Sequence, residues 1–182
     1  MADYDFRTFS ALVAEDNSYL RTLLSNSLRA IGVGNVRTVN DGGEAIEVLQ
    51  NVKTNPMKAG MQQVDVILSN WQMHPTDGLM LLRWVRRHKE SPCRFVPFVM
   101  VTGYADQDKV NEARTLGVTE MLAKPFSVEN LAQRFLQIVD RPRKFVHTAK
   151  YFGPDRRRQA MEVPAEKDRR EIDEKDVEVV HV

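Results

Sequence analysis

The sequence has little cysteine, no long apolar run and almost no net charge. Its single cysteine, Cys93, cannot form a disulfide within the chain, and no Cys/His cluster has zinc-site spacing, so we expect a reducing, cytoplasmic compartment. The longest apolar run, from Phe95 to Val101, is far shorter than the roughly 20 residues that a membrane span needs. Because the first residues are charged as well, neither export nor membrane insertion is expected. The 26 basic and 25 acidic residues leave a net charge of +1, which argues against nucleic-acid binding over the whole surface.

The chain of 182 residues has room for one domain and an appendage. Up to about Asp140, short β-branched or apolar runs alternate with longer segments of helical period, which is typical of βα units on a parallel sheet. The predicted strands are Ser10 to Ala14, Asn35 to Val39, Val64 to Ser69, Phe95 to Val101 and Val118 to Ala123. The predicted helices are one capped by Asn17, then Gly43 to Asn51, Gly78 to Lys89, Asp106 to Leu116 and Ser127 to Val139. The fold class is therefore α/β, a doubly wound parallel sheet of five strands.

Residues with useful chemistry follow three of the strands, at the edge where an open α/β sheet places its ligand site. Glu15 and Asp16 follow the first strand, Thr102 ends the fourth and Lys124 ends the fifth. Paired carboxylates suit a hard cation such as Mg²⁺, and the ammonium of Lys124 can reach toward them. Taken alone, the Glu15-Asp16 pair is more typical of a solvated loop, and Lys124 of a surface lysine.

This constellation, together with the segment from Val64 to Gly78, resembles the receiver domain of bacterial two-component response regulators over about residues 8–140. The resemblance implies a flavodoxin-like (βα)5 domain with strand order 2-1-3-4-5. It also implies signalling without enzymatic activity of the domain's own. In this family an aspartate at the end of the third strand accepts a phosphoryl group from a histidine kinase, with Mg²⁺ screening the charges.

The sequence departs from the family at the phosphoacceptor position, which is Asn70. Asp65 cannot replace it because it opens the same strand about 17 Å away, and the Ser69 side chain should point to the other face. A neutral amide is a much poorer nucleophile than a carboxylate, so no stable aspartyl phosphate is expected. Magnesium binding should be weakened, with Glu15, Asp16, Asn70 and Gln72 as the ligand positions, and no other cofactor is expected.

The switch positions of the family correspond to Thr102, Met121 and Lys124. Without a phosphoryl group, Thr102 and Lys124 lack the contact that would distinguish two states. We expect them to serve packing and polar satisfaction, with Lys124 pairing with Asp16. Met121 stands where the family has an aromatic residue and has no hydroxyl to exchange between partners.

The composition changes after Asp140: residues 141–158 contain seven basic residues and one Asp, and residues 159–182 contain four basic and eight acidic residues. We expect residues 141–182 to form a mobile, charged C-terminal tail. Its most distinctive segment contains Tyr151, Phe152, Arg156, Arg157 and Arg158. This segment could dock on an acidic protein surface, bind an anionic ligand, or be a solvated basic run anchored by its two aromatic residues.

These features predict a phosphorylation-independent protein-binding adaptor in a phosphorelay or two-component pathway. The expected partners are a histidine kinase, a phosphotransfer protein or a downstream target, and the expected contact face is formed by the last two helices and the last strand of the sheet. No DNA-binding domain fits into the residues after the receiver. The alternative is a ligand-binding module whose arginine-rich tail binds a cyclic dinucleotide, RNA or another phosphorylated ligand.

Overall fold

The computed structural model describes residues 5–103, 106–148, 151–156 and 178–180. Its main sheet contains the parallel strands β1 (Ser10–Ala14), β2 (Asn35–Val39), β3 (Val66–Asn70), β4 (Phe98–Thr102) and β5 (Glu120–Ala123). The helices are α1 (Ser18–Ile31), α2 (Gly42–Thr54), α3 (Pro56–Ala59), α4 (Gly78–Arg87), α5 (Gln107–Leu116) and α6 (Val128–Asp140). The strand order is β2-β1-β3-β4-β5, which confirms the predicted doubly wound receiver topology.

Alternate residues of the central strands pack into two separate apolar layers, one on each face of the sheet. Leu12, Ile67 and Met100 belong to the layer that also contains residues of α2, α4 and α5. Val13 and Leu68 belong to the layer on the other face, together with residues of α1 and α6. Because both faces are covered, the carboxyl-end edge of the sheet is where polar side chains can converge.

Polar side chains cap the N-termini of helices that follow the strands. The side chain of Asn17 accepts from the backbone N–H of Leu20, as predicted, and Asp77 caps α4 by accepting from Met80. Helix α1 ends where Gly32 adopts a φ of 104°, a left-handed conformation that favours glycine. Within the described residues, no helix is both long and apolar enough to cross a membrane.

Helical structure extends further than predicted between the second and third strands. The predicted helix ends at Asn51 and the next predicted strand begins at Val64, which leaves residues 52–63 as a loop, but α2 continues to Thr54 and the short helix α3 follows. The Asn55 side chain accepts from the Lys58 N–H, and Pro56 stands at the start of α3, where its missing N–H is not needed. Burial of Ala59 and Met61 attaches this segment to the core.

The residues after α6 form a second, small sheet. Strands β6 (Phe145–His147) and β7 (Phe152–Pro154) are antiparallel, and β8 (Glu178–Val180) pairs with the other edge of β6. Within the described residues, this part of the predicted tail packs on the main domain, since the ring centroids of Phe145 and Phe152 lie 5.2 Å and 5.5 Å from that of Phe95. A mobile tail over residues 141–182 stays a prediction. Residues 157–177 lie outside the described part of the chain.

Arg86 of α4 lies beneath the β6–β7 hairpin and is fully buried. Its guanidinium donates to the backbone carbonyls of Gly117 at 2.9 Å and Arg94 at 2.8 Å, and to the Thr119 hydroxyl at 3.3 Å. Burial lowers the pKa of Arg86 to about 10, so the side chain remains charged at neutral pH. The hairpin approaches so closely that a Cβ on Gly117 would lie 2.9 Å from the carbonyl oxygen of Phe152. The Arg86 guanidinium also lies 5.2 Å from the centre of the Phe145 ring in β6, so Arg86 contacts both the main domain and the hairpin.

Candidate functional site

Four polar side chains meet at the carboxyl ends of β1, β3 and β5. The Lys124 Nζ lies 2.7 Å from Glu15 Oε2 and 3.1 Å from Asn70 Oδ1. The Asn70 Nδ2 donates to Asp16 Oδ1 at 3.0 Å and to the backbone carbonyl of Gln72 at 2.6 Å. The structure thus brings Glu15, Asp16, Asn70 and Lys124 together, although Glu15 and Lys124 are 109 residues apart in the sequence.

Glu15 and Lys124 form an ion pair that is largely removed from water. The Glu15 side chain is 0% exposed and the Lys124 side chain 18% exposed. Burial raises the pKa of Glu15, and the hydrogen bond and charge of Lys124 partly oppose that rise. We predicted that Lys124 would pair with Asp16; this was wrong, because the side chain of Glu15 points into the pocket whereas Asp16 is exposed.

The hydrogen bonds determine which way the Asn70 amide faces. Its nitrogen faces two acceptors, and its oxygen faces the ammonium of Lys124. A rotation by 180° would place the amide oxygen against two other oxygens and the NH₂ group against the ammonium. The observed orientation is therefore the only one of the two in which every contact joins a donor to an acceptor.

The two nearby residues that could replace Asn70 as acceptor, Asp65 and Ser69, lie away from this pocket. Asp65 precedes β3, and its Oδ2 accepts from the Ser10 N–H at 2.7 Å, at the start of β1. Ser69 donates its hydroxyl to the Asn70 carbonyl and lies close to Gly78 of α4. The strand register therefore leaves Asn70 as the β3 residue whose side chain faces Lys124.

Thr102 and Met121 occupy the remaining switch positions. Thr102 ends β4 and is buried, and its backbone carbonyl accepts from the Lys124 N–H at 2.7 Å. Met121 is half-buried in β5 and packs against the apolar layer that includes α4. Both residues also line a groove beside β5, so the pocket and the groove are adjacent.

Residues 11–136 match the response regulator receiver domain, and this span includes Glu15, Asp16, Asn70 and Lys124. The chain belongs to this family. As a receiver domain it is a signalling module of the two-component type, and Asn70 stands at the position that the family resemblance assigns to the phosphoacceptor.

Similar proteins include bacterial chemotaxis proteins. The chemotaxis protein CheY of Pseudomonas aeruginosa is 29% identical over 130 residues, which cover 71% of this chain and 95% of that protein. CheY-3 of Vibrio cholerae is 27% identical over 135 residues, covering 74% and 95% of the two chains. The structure of CheY4 from V. cholerae, 27% identical, gives a TM-score of 0.60 and covers 72% of this chain and 98% of that one. The similarity thus spans nearly the whole of these relatives.

The family implies a magnesium ion, but the donors in this receiver domain fit one poorly. The Asn70 amide already bonds Asp16 Oδ1 and the Gln72 carbonyl, and Lys124 bonds Glu15. Within the described residues, no group of three or more His, Cys, Asp or Glu could hold a metal. Weakened magnesium binding at this site stays a prediction.

The predicted tail residues lie in the hairpin region, apart from Asn70. The Arg156 guanidinium stacks 4.5 Å over the Tyr151 ring, and the Tyr151 hydroxyl donates to the carbonyl of Pro154. Phe152 packs under the guanidinium of Arg94 at 4.1 Å, so it is part of the hairpin's apolar contact. Arg157 and Arg158 lie outside the described residues.

A basic groove beside β5 was missed by the sequence analysis. It has a volume of about 930 Å³, and its described lining includes one acid, Glu120, and four arginines: Arg114, Arg134, Arg143 and Arg156. Arg134 and Arg143 each bond one oxygen of Glu120, at 3.4 Å and 3.2 Å. The four arginines are dispersed over α5, α6 and the hairpin region, so no local pattern in the sequence predicts that they converge.

Proposed function

We propose that this receiver domain is a non-enzymatic, phosphorylation-independent adaptor in a phosphorelay or two-component pathway. The observation that carries the proposal is the carboxamide of Asn70 at the acceptor position, with its oxygen and nitrogen bonded to neighbouring groups. An amide has no anionic oxygen to attack phosphorus, and its nitrogen lone pair is delocalised into the carbonyl.

The position of Lys124 supports the same proposal. Its ammonium already bonds Glu15 and Asn70, so an arriving phosphoryl group is not needed to hold it in place. A ligand shifts an equilibrium between two states only if it binds them differently. We infer that the pocket stabilises one arrangement of the domain and does not report phosphorylation to the rest of it.

We propose that partners dock on the face formed by α5, β5 and α6, which the hairpin region extends. The groove on this face carries four arginines against Glu120, whose oxygens already contact two of them. Charge complementarity favours an acidic segment of a histidine kinase, a phosphotransfer protein or a downstream target. Long-range attraction to such a segment also speeds association at low salt.

The experiment measures binding of the full chain to purified histidine kinases and phosphotransfer proteins, with and without a small phosphodonor. The expected result is binding that the phosphodonor leaves unchanged. Arg114→Glu should abolish this binding, whereas Arg83→Glu, an exposed arginine of α4, is the matched control and should not. Binding that appears only after phosphodonor treatment would contradict the proposal.

The second candidate is a module that binds an anionic ligand, such as a cyclic dinucleotide or RNA, in the groove. The convergence of Arg114, Arg134 and Arg156 favours it, because guanidiniums bind phosphate in a bidentate manner. RNA binding would weaken steeply between about 50 and 200 mM salt, since several phosphates would be neutralised. Direct titration of a cyclic dinucleotide and of a short RNA onto the full chain separates this candidate from the adaptor.

A further inference from the structure

The oxygen atoms that would receive a cation in this pocket converge on the Asn70 amide instead. Asp16 Oδ1 lies 3.0 Å and the Gln72 carbonyl oxygen 2.6 Å from Asn70 Nδ2. A carboxylate and a carbonyl are typical ligands of hard cations. Both accept hydrogen bonds here from one NH₂ group, whose two protons carry partial positive charge.

The oxygen of the Asn70 amide is also held in place by a hydrogen bond. Asn70 Oδ1 accepts from the Lys124 ammonium at 3.1 Å, and that ammonium also bonds the buried Glu15 at 2.7 Å. For a cation to take the place of the NH₂ group, the amide would have to rotate. The rotation breaks three hydrogen bonds, two of them to charged groups, and turns the NH₂ group toward the ammonium.

The charge balance of the pocket disfavours a cation in the same way. Lys124 neutralises Glu15, so Asp16 is the one carboxylate of the pair that is not matched by an ammonium. Magnesium gives up its hydration water reluctantly and is usually held through one or two carboxylates together with further oxygen ligands. Asp16 is exposed and already hydrogen-bonded to the amide, so it compensates poorly for the hydration water that a magnesium ion would lose.

We propose that the Asn70 side chain is a built-in substitute for a divalent cation. Its NH₂ group occupies the position between Asp16 and Gln72 and excludes the metal from the pocket. The β3 end, the acidic pair and Lys124 are then held together without a cofactor. This goes beyond the adaptor function, because it concerns what fills the pocket and not what docks on the domain.

The test uses Mn²⁺, an oxygen-preferring ion whose paramagnetism broadens NMR signals near its binding site. The backbone signals of Asp16, Trp71 and Gln72 report on the pocket, so Mn²⁺ at exposed acids elsewhere does not count. The proteins compared are the full-length chain and its Asn70→Asp and Asn70→Ala variants. Unchanged signals around Gly117, which follows α5 in the main domain and is distant from Asn70 in the sequence, verify that each variant is folded.

The expected result is no broadening at the pocket of the unmodified chain and clear broadening in both variants. Asn70→Asp should bind Mn²⁺ at least about tenfold more tightly than the unmodified chain, since it removes the amide and adds a charge. Asn70→Ala removes the amide without adding a charge and should show a smaller gain. Adding Asp16→Asn to either variant should abolish the gain.

Three outcomes would overturn the inference. They are broadening at Trp71 and Gln72 in the unmodified chain, no broadening in Asn70→Asp, or a gain in Asn70→Asp that is absent in Asn70→Ala. The last would show that the missing charge, and not the amide's position, excludes the ion. None of these results would show phosphorylation, so the adaptor proposal would stand or fall separately.

Discussion

Replacing Lys124 by methionine removes the ammonium that pairs with the buried carboxylate of Glu15. The pair is 2.7 Å apart, with the Glu15 side chain 0% and the Lys124 side chain 18% exposed. Breaking a buried ion pair by removing one partner costs about 3–5 kcal/mol, because the remaining charge is left uncompensated. We expect the lower end, about 3 kcal/mol of unfolding free energy at neutral pH, since Lys124 retains some contact with water.

The loss should depend on pH in a defined direction. Burial raises the pKa of Glu15, so the folded protein binds this proton more tightly than the unfolded chain does. The stability associated with Glu15 is therefore greatest below its unfolded pKa and falls as pH rises through its folded pKa. Without Lys124 the folded pKa rises further, so the cost of Lys124→Met should be smaller at about pH 5 than at about pH 8.

Urea unfolding of the unmodified chain and of Lys124→Met at both pH values measures this difference. Adding Glu15→Gln to Lys124→Met removes the unpaired charge and should restore about 2 kcal/mol at the higher pH. Lys53→Met, at the exposed end of α2, is the matched control and should change stability by less than about 0.5 kcal/mol. An equal loss at both pH values, or no rescue by Glu15→Gln, would show that an uncompensated charge on Glu15 is not the cause of the lost stability.

Two further predictions concern the hairpin region. Arg86→Met leaves the acceptors on Gly117, Arg94 and Thr119 without their buried donor and should lower the unfolding free energy, measured by urea titration, by about 3 kcal/mol. Arg86→Lys should be destabilised as well, because an ammonium cannot reproduce the hydrogen bonds of the planar guanidinium. A loss below about 1 kcal/mol in Arg86→Met would contradict the prediction. Phe145→Ala removes a ring that is 4% exposed and should lower the unfolding free energy by about 3 kcal/mol. The backbone amides of β6 and β7 should then be the first to lose protection against hydrogen exchange. Unchanged protection there would contradict the proposed packing.

The main sheet could be predicted from the sequence because its signals are local. Buried strands appear as short apolar runs, and side chains such as Asn17 and Asp106 cap the helices that follow. The third, fourth and fifth strands begin later than predicted, at Val66, Phe98 and Glu120, since apolar composition does not show where ladder pairing starts. The helical part of residues 52–63 was missed because Pro56 and Gly60 also suit a loop.

The small sheet could not be predicted because its stability depends on distant partners. Residues 141–158 are basic in composition, and Phe145 and Phe152 acquire an apolar environment by packing on each other and on the distant Phe95. Buried Arg86 is equally non-local, since its acceptors lie 8 to 33 residues away in the sequence. A composition-based estimate treats such a segment as solvated.

The positions of the site residues could be predicted, but their hydrogen bonds could not. Chain topology alone brings Glu15, Asn70 and Lys124 to one edge of the sheet. The choice of carboxylate that pairs with Lys124 depends on the direction of each side chain after β1. Glu15 is buried in the pocket and Asp16 is exposed to solvent. The orientation of the Asn70 amide is likewise decided by its acceptors and not by the sequence around it.

The most direct test of the central claim is the intact mass of the full chain after incubation with a small phosphodonor and Mg²⁺. We expect no phosphoryl adduct on the unmodified chain, because Asn70 offers no anionic oxygen. The Asn70→Asp variant is the control for the remaining machinery, since it restores the carboxylate beside Lys124 and Thr102. A phosphoryl adduct that maps to Asn70, or to its deamidated product, would contradict the proposed phosphorylation-independent function.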